Sequence, residues 1–453
     1  MTRQNGLKIS DDELERYMTI LKVSFGLKWL EEKSDHPLQI LWKRNDILAT
    51  NELYTLACSI EDLNNIDSSW TKNQLLIAKS RDKNNRKGSI FEIIGLHMMN
   101  NPDHPVKPAQ LNQAGYDGIL RRNDGVEVRV SIKNYGKSSF QQSFDKKAKT
   151  VETKIIKLLR KYNYLPTQVV IDFPSQFPTE KDWKMLDDKI DGIFKLKRND
   201  TDPFSAVVEL LDNKKEFTAD NSRIIFYLFI APITFKKELL HEKYQSYTVL
   251  ISAAYHHNEY KNLFSKMDEA CSNLLKHSAV ESENTINSLL LHLPDTVSLN
   301  ICEKWLNDYF EEFPHKQITF VILYQPTVAE KLNTDETVIQ HSCKIYVKNK
   351  KTIKGGYKFS IPVGIISEES TDLCFIAEFP DGKKEKVVLT DKYTYQHGEH
   401  FMKLQPDGKG GFYGNIKKLG NGVYTSLVIE MPGHKNSAVI KGRFPPSDEL
   451  LIL

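Results

Sequence analysis

Cysteine is scarce. The five in 453 residues, Cys58, Cys271, Cys302, Cys343 and Cys374, lie far apart and form no CxxC pair. An odd, scattered set argues against a disulfide framework and against a zinc site, and it fits a reducing compartment. Long apolar runs are missing too. The longest, such as IIFYLFIAPI, fall far short of the roughly 20 residues a membrane-spanning helix needs. The opening MTRQNGLKIS carries no apolar leader core. A cytoplasmic protein with no membrane partner is therefore expected. A strong net charge is also lacking: 62 Lys and Arg against 59 Asp and Glu leave +3. Any nucleic-acid surface has to come from local clustering. Glycine-rich stretches such as GKGGFYGN lack the strand-loop-helix setting of a phosphate-binding loop, and no Ser-His-Asp arrangement follows from spacing.

The chain is too long for one ordinary core, so two or three domains are expected. Residues 1–85 read as helices, beginning with a capping box at Ser10 to Glu13. Residues 86–335 alternate helical and strand-like segments. They run through a helix from Ser89, a hairpin, a basic helix from Phe140, and apolar strands at Thr167–Phe173, Arg223–Pro232 and Ile318–Pro326. That order predicts an α/β (α+β) fold around one mixed sheet flanked by helices, with a helical insertion at about 256–312. From about 340 to 453 the pattern changes. Turn dipeptides such as Asp381-Gly382, Asp407-Gly408 and Asn421-Gly422 punctuate short strands, which predicts a separate all-β sandwich or barrel. Its Lys344, Lys348, Lys350, Lys351, Lys354 and Lys358 alternate with Tyr346 and Tyr357, a mixture suited either to recognition or to protecting strand edges.

The informative stretch is Gly115 to Lys133, GYDGILRRNDGVEVRVSIK. Asn123-Asp124-Gly125 is a strong hairpin signal. Pairing about that turn sets Asp117 opposite Ser131. Val126, Val128, Val130 and Ile132 then point to a core, while Glu127, Arg129, Ser131 and Lys133 point the other way. Asp117 and Lys133 meet at one end of the polar face. An acid and a lysine so placed suit phosphodiester hydrolysis: Mg²⁺ takes carboxylate and phosphate oxygens, and a lysine can orient water and stabilise developing charge.

These residues resemble the PD-(D/E)xK nuclease superfamily over roughly Gly88 to Phe173. Glu92 in GSIFEIIG matches the family's helical glutamate, and Asp117 in GYDG matches its first strand acid. The acid-x-lysine position reads Ser131-Ile132-Lys133, so the lysine is present and the second acid is not. An alternative register, Glu127-Val128-Arg129, is disfavoured because Glu127 lies about 13 Å along the strand and pairs near Arg121, away from Asp117. Glu92 is the best substitute for the missing acid, with Asp145 and Glu152 in reserve.

The resemblance implies a restriction-endonuclease-like fold and hydrolysis dependent on Mg²⁺ (or Mn²⁺). Glu92 and Asp117 would be metal ligands, Lys133 would position water, and Ser131 would support the site. Gln141 or Gln142 would contact phosphate. DNA is the implied substrate and RNA the alternative. A bacterial restriction or phage-defence effector, acting as a homodimer or with a partner subunit, fits by analogy of fold. The competing reading is a degenerate nuclease fold that grips DNA without cutting it. Lys137, Lys146, Lys147, Lys149, Lys154, Lys157, Arg160 and Lys161 could neutralise backbone phosphates, or could form a solvated face balanced by Asp145 and Glu152. His97 reads as a packed core histidine. His256, His257 and Glu259 read as surface polar residues, and His397, His400 and His434 as loop residues.

Overall fold

The structure is a computed structural model. It describes residues 3–110, 115–162, 167–195, 215–218, 224–232, 247–276, 281–282, 284–294, 297–330, 337–348 and 360–367, a set of strands between 374 and 443, and 450–453. The helices of the amino-terminal region are α1 (Asp11–Phe25), α2 (Leu27–Glu31), α3 (Pro37–Lys43), α4 (Ile47–Ile66), α5 (Ser68–Ala78) and α6 (Lys83–Met99). Their starts are set by local chemistry. Ser10 accepts from the Glu13 amide, as the capping box requires, and Asp46, Asp67 and Asp82 cap α4, α5 and α6 in the same way.

Next come β1 (Val106–Pro108), β2 (Gly118–Arg121), β3 (Glu127–Asn134), α7 (Ser139–Lys161), β4 (Thr167–Phe173), α8 (Glu180–Lys195), β5 (Lys215–Thr218), β6 (Ile224–Pro232) and β7 (Thr248–Ala254). The chain continues through α9 (Tyr260–Lys276), β8 (Thr285–His292), α10 (Leu299–Glu312), β9 (Phe320–Glu330), β10 (Thr337–Val347), β11 (Ile365–Ser367), β12 (Cys374–Glu378), β13 (Lys384–Val388) and β14 (Lys392–Gln396). The expected mixed α and β fold, with a sheet between helices, is present.

The strands form two large sheets, where one was expected. The first runs β1-β2-β3-β8-β9-β10-β11, and the second runs β14-β7-β4-β6-β5. The hairpin β2–β3 and the strand at Ile318–Pro326 do share the first sheet. The strands at Thr167–Phe173 and Ile224–Pro232 belong to the second. The boundary anticipated at about 340 falls inside β10, which pairs with β9 at every position from Thr337 to Val347. β14 joins the second sheet beside β7. Most of the expected carboxy-terminal sandwich or barrel lies outside the described residues. Among the described residues no helix is long and apolar enough to cross a membrane.

The first sheet is buried on both faces. Val128, Val130, Ile132, Leu290 and Ile322 pack with α4 and α6. Leu289, Leu291, Val321 and Leu323 pack with Leu263, Met267 and Cys271 of α9 and with Trp305 and Leu306 of α10. Each fully buried aliphatic side chain contributes about 1.5–3 kcal/mol. The helical core is continuous with the sheet and reaches Ile452 and Leu453, so residues 1–85 do not stand apart. Two glycines set the spacing. A Cβ at Gly95 would lie 2.9 Å from Leu290 Cδ2 and 3.2 Å from Ile132 Cδ1, and one at Gly118 would collide with Leu96. Their absence lets α6 lie close over the β2–β3 hairpin.

Candidate active site

The hairpin register is the one the turn implies. Gly125 has φ 85°, the Arg122 amide donates to the Val126 carbonyl at 2.9 Å, and Gly118 sits opposite Val130. The Asp117 amide donates to the Val130 carbonyl at 2.7 Å, which seats Asp117 beside Ser131. The Asp117 carboxylate then accepts the Ile132 amide at 2.5 Å and lies 3.5 Å from Ser131 Oγ. Arg121 pairs with Glu127, so the alternative Glu127-Arg129 register lies toward the turn, at a distance from Asp117; Glu127 bonds Arg129 instead.

Glu92 reaches this group from α6. Gln74 of α5 donates to Glu92 Oε2 at 3.0 Å, and Gln74 is itself held by Ser89 Oγ at 2.7 Å. Burial raises the Glu92 carboxyl well above the usual range. The charge of Asp117 raises it further, and Lys133 and the Gln74 bond oppose the rise. Burial raises Asp117 too, against the pull of Lys133 and of the Ile132 and Ser131 hydrogen bonds. Glu92, Asp117 and Lys133 are thus electrostatic neighbours, as three groups about one reacting centre have to be. Two carboxylates held together with one lysine form a site short of positive charge.

Sequence reasoning missed Glu269. α9 covers the polar face of β3, so Ser131 is buried and Lys133 is largely so. Lys133 Nζ lies 3.4 Å from Glu269 Oε1, and Lys266 reaches Glu269 Oε2 at 3.3 Å. Glu269 also raises Asp117 by its charge. Gln74 was missed as well; only the helical periodicity of α5 hinted at an inward face there.

The remaining candidates lie elsewhere. Gln142 is exposed on α7 and donates to the Lys137 carbonyl at 3.1 Å, while Gln141 uses its amide to complete the Ser138 cap. Asp145 pairs with Lys137 at 2.6 Å, and Glu152 is buried beside Tyr395, so neither reserve acid is drawn to Asp117. His97 bonds Asp62 at 2.8 Å between α6 and α4. Glu259, expected at the surface, is buried where the two sheets meet. It accepts from Ser138 Oγ at 2.7 Å, from Tyr135 Oη at 3.3 Å and from Tyr393 Oη. His256 stacks on Phe140. Lys344 pairs with Glu303, Lys348 binds the Pro314 and Lys316 carbonyls, and Tyr346 stacks on Phe310. Lys350, Lys351, Lys354, Lys358 and Tyr357, and His397, His400 and His434, lie outside the described residues.

The donor set decides which ion could fit. Among the described residues no three His, Cys, Asp or Glu side chains are disposed to hold a metal together, so a zinc-type cage is not formed there. Two hard carboxylates suit Mg²⁺, which ordinarily takes only one or two protein carboxylates. Compared with family models, with characterised proteins and with solved structures, the chain finds no match.

Proposed function

We propose that the chain is a Mg²⁺-dependent endonuclease that hydrolyses phosphodiester bonds in DNA. The observation that carries this reading is that Glu92, Asp117 and Lys133 act on one another near the end of β3: the charge of Asp117 raises Glu92, and Lys133 draws both acids down. Asp117 and Glu92 would hold the ion, which when bound supplies positive charge and acidifies water. Lys133, anchored by Glu269, orients the attacking water and stabilises charge on the phosphate. Ser131 and the Ile132 amide fix the Asp117 carboxylate. Gln74 holds Glu92 by a hydrogen bond to its Oε2.

Ser131 favours a second reading, because it stands where the resembling family has an acid: a nuclease-like fold that binds DNA without cutting. Supercoiled plasmid incubated with Mg²⁺ separates the two. The wild type is expected to nick it, and Asp117→Ala and Lys133→Ala to lose about 10²–10³-fold in rate, with binding to DNA retained. Binding with no nicking by the wild type selects the second reading, and nicking of RNA alone selects the RNA-directed alternative.

A further inference from the structure

We infer that the exposed crest of α7 is a docking track for the sugar–phosphate backbone of duplex DNA. The sequence leaves this helix ambiguous because acids lie among its cations. The fold separates them. Phe144, Ala148, Val151, Ile155, Ile156 and Leu159 of α7 face the second sheet's core.

 Glu152 is buried within that row. Asp145, the helix's other acid, is taken by Lys137. The flanking cations are neutralised by α8: Lys147 pairs with Glu180 at 2.6 Å, and Lys154 pairs with Asp187 at 2.9 Å and Asp191 at 2.8 Å.

What remains exposed along the crest is Lys146, Lys149, Thr150, Thr153, Lys157 and Arg160. No acid and no apolar side chain interrupts that row. Among the described residues Lys146, Lys149, Lys157 and Arg160 have no acidic partner. Lys146, Lys149, Thr150, Thr153, Lys154 and Lys157 line one surface groove of about 560 Å³. The row recurs at positions 146, 149, 150, 153 and 157, so it runs straight along the helix axis. From Lys146 to Lys157 it covers about 16 Å at 1.5 Å per residue, the axial length of about five phosphates of one B-DNA strand.

The chemistry selects the occupant. Cations spread along one helix face, with small hydroxyl side chains between them, suit a polyanion and offer no base-reading amides or carboxylates. A membrane surface would call for aromatic or aliphatic side chains beside the lysines, and the crest has none. The identity of the polymer rests on the nuclease reading. The location of the binding surface does not.

The test is fluorescence anisotropy of the full chain with a labelled 20-base-pair duplex in EDTA, so that no cleavage intervenes, over about 50–250 mM KCl. The variant K146Q/K149Q/K157Q is expected to bind about 10–100-fold more weakly at low salt and to lower the slope of log affinity against log salt by about three, one for each lost phosphate contact. Lys147→Gln, on the flank, is expected to change affinity less than about 3-fold. A matching melting temperature confirms that the triple variant is folded. Unchanged duplex binding and salt slope in the triple variant overturns the proposal. So does an equal loss from Lys147→Gln, or crest-dependent binding of polyglutamate or anionic vesicles in place of duplex. The nuclease reading fails separately: a wild type that binds through the crest but never nicks keeps the track and loses the activity, and nicking unaffected by the triple variant does the reverse.

Discussion

The two large sheets each hold an aspartate, a serine and a lysine, and they use them oppositely. In the second sheet Asp172 is buried on β4. Ser252 Oγ donates to it at 2.6 Å, and Lys392 Nζ lies 2.9 and 3.0 Å from its two oxygens. That cluster is closed, with one anion bound by one cation and one hydroxyl. In the first sheet Asp117 has Ser131 at 3.5 Å and the Ile132 amide, while the lysine is paired with Glu269 and the charge of Asp117 bears on a further acid, Glu92. There the negative charge exceeds what the lysine offsets. A closed ion pair needs nothing more and serves folding. A cluster left short of positive charge is a place for a cation and a reaction. The residue types are the same; the charge count and the register separate structure from candidate chemistry.

Matched substitutions break this comparison with its largest effect. Asp172→Asn leaves Lys392 without its anion in a buried position and is expected to destabilise the fold by about 3 kcal/mol. Asp117→Asn leaves Glu92 beside Lys133, keeps an acceptor for the Ile132 amide, and is expected to cost less than about 1 kcal/mol. Urea unfolding of the two variants checks both. Equal losses would show that the two clusters carry the fold alike and would remove the distinction.

How much of this could be read from the residues alone differs by distance along the chain. Asn123-Asp124-Gly125 fixes the hairpin, and counting from it sets Asp117 against Ser131, because register in a two-residue-period strand follows from the turn. The acid-free crest of α7 could not be assigned, since helical spacing gives faces but does not say which acids are buried or paired. Glu269 was illegible for a different reason. It comes from a helix far downstream, after four of the second sheet's five strands, and nothing near Lys133 announces it. The second sheet itself was missed because a fully buried apolar strand such as β4 looks alike in any sheet. β10 was assigned to another domain because turn dipeptides follow it, although β9 is its partner along its entire length.

Glu52 offers a third solution and a smaller, pH-dependent effect. It is fully buried on α4, and its Oε2 accepts the amides of Leu451, Ile452 and Leu453 at 2.8, 2.7 and 3.0 Å. Burial pushes the carboxyl up to about 7, with the three amides and Arg44 opposing. The sign follows. The folded state keeps a proton that the unfolded chain releases near its ordinary value of 4.5, so stability falls as pH rises from there to about 7. The expected slope approaches about 1 kcal/mol per pH unit. Thermal unfolding of Glu52→Gln between those pH values is expected to lose this dependence, since the amide oxygen still accepts and no charge is buried. A slope unchanged by the substitution would place its origin elsewhere.

The smallest effect is the most direct measure of surplus charge. If Glu92 and Asp117 repel in a poorly solvated site, removing one charge relieves the fold even as it removes a candidate ligand. Glu92→Gln preserves the side chain's length, and its amide oxygen can still accept from Gln74. In EDTA above pH 8, where wild-type Glu92 bears its charge against burial and Asp117, the variant is expected to be more stable by about 1 kcal/mol, or roughly 2 °C in melting temperature. As pH falls and the wild-type carboxyl takes up its proton, that advantage should shrink. The same variant is expected to lose plasmid nicking. A gain in stability with loss of activity would mark the charge as retained for function at the expense of the fold. A loss of stability would mean that Glu92 supports packing, as Asp172 does, and that the first sheet's cluster is closed after all.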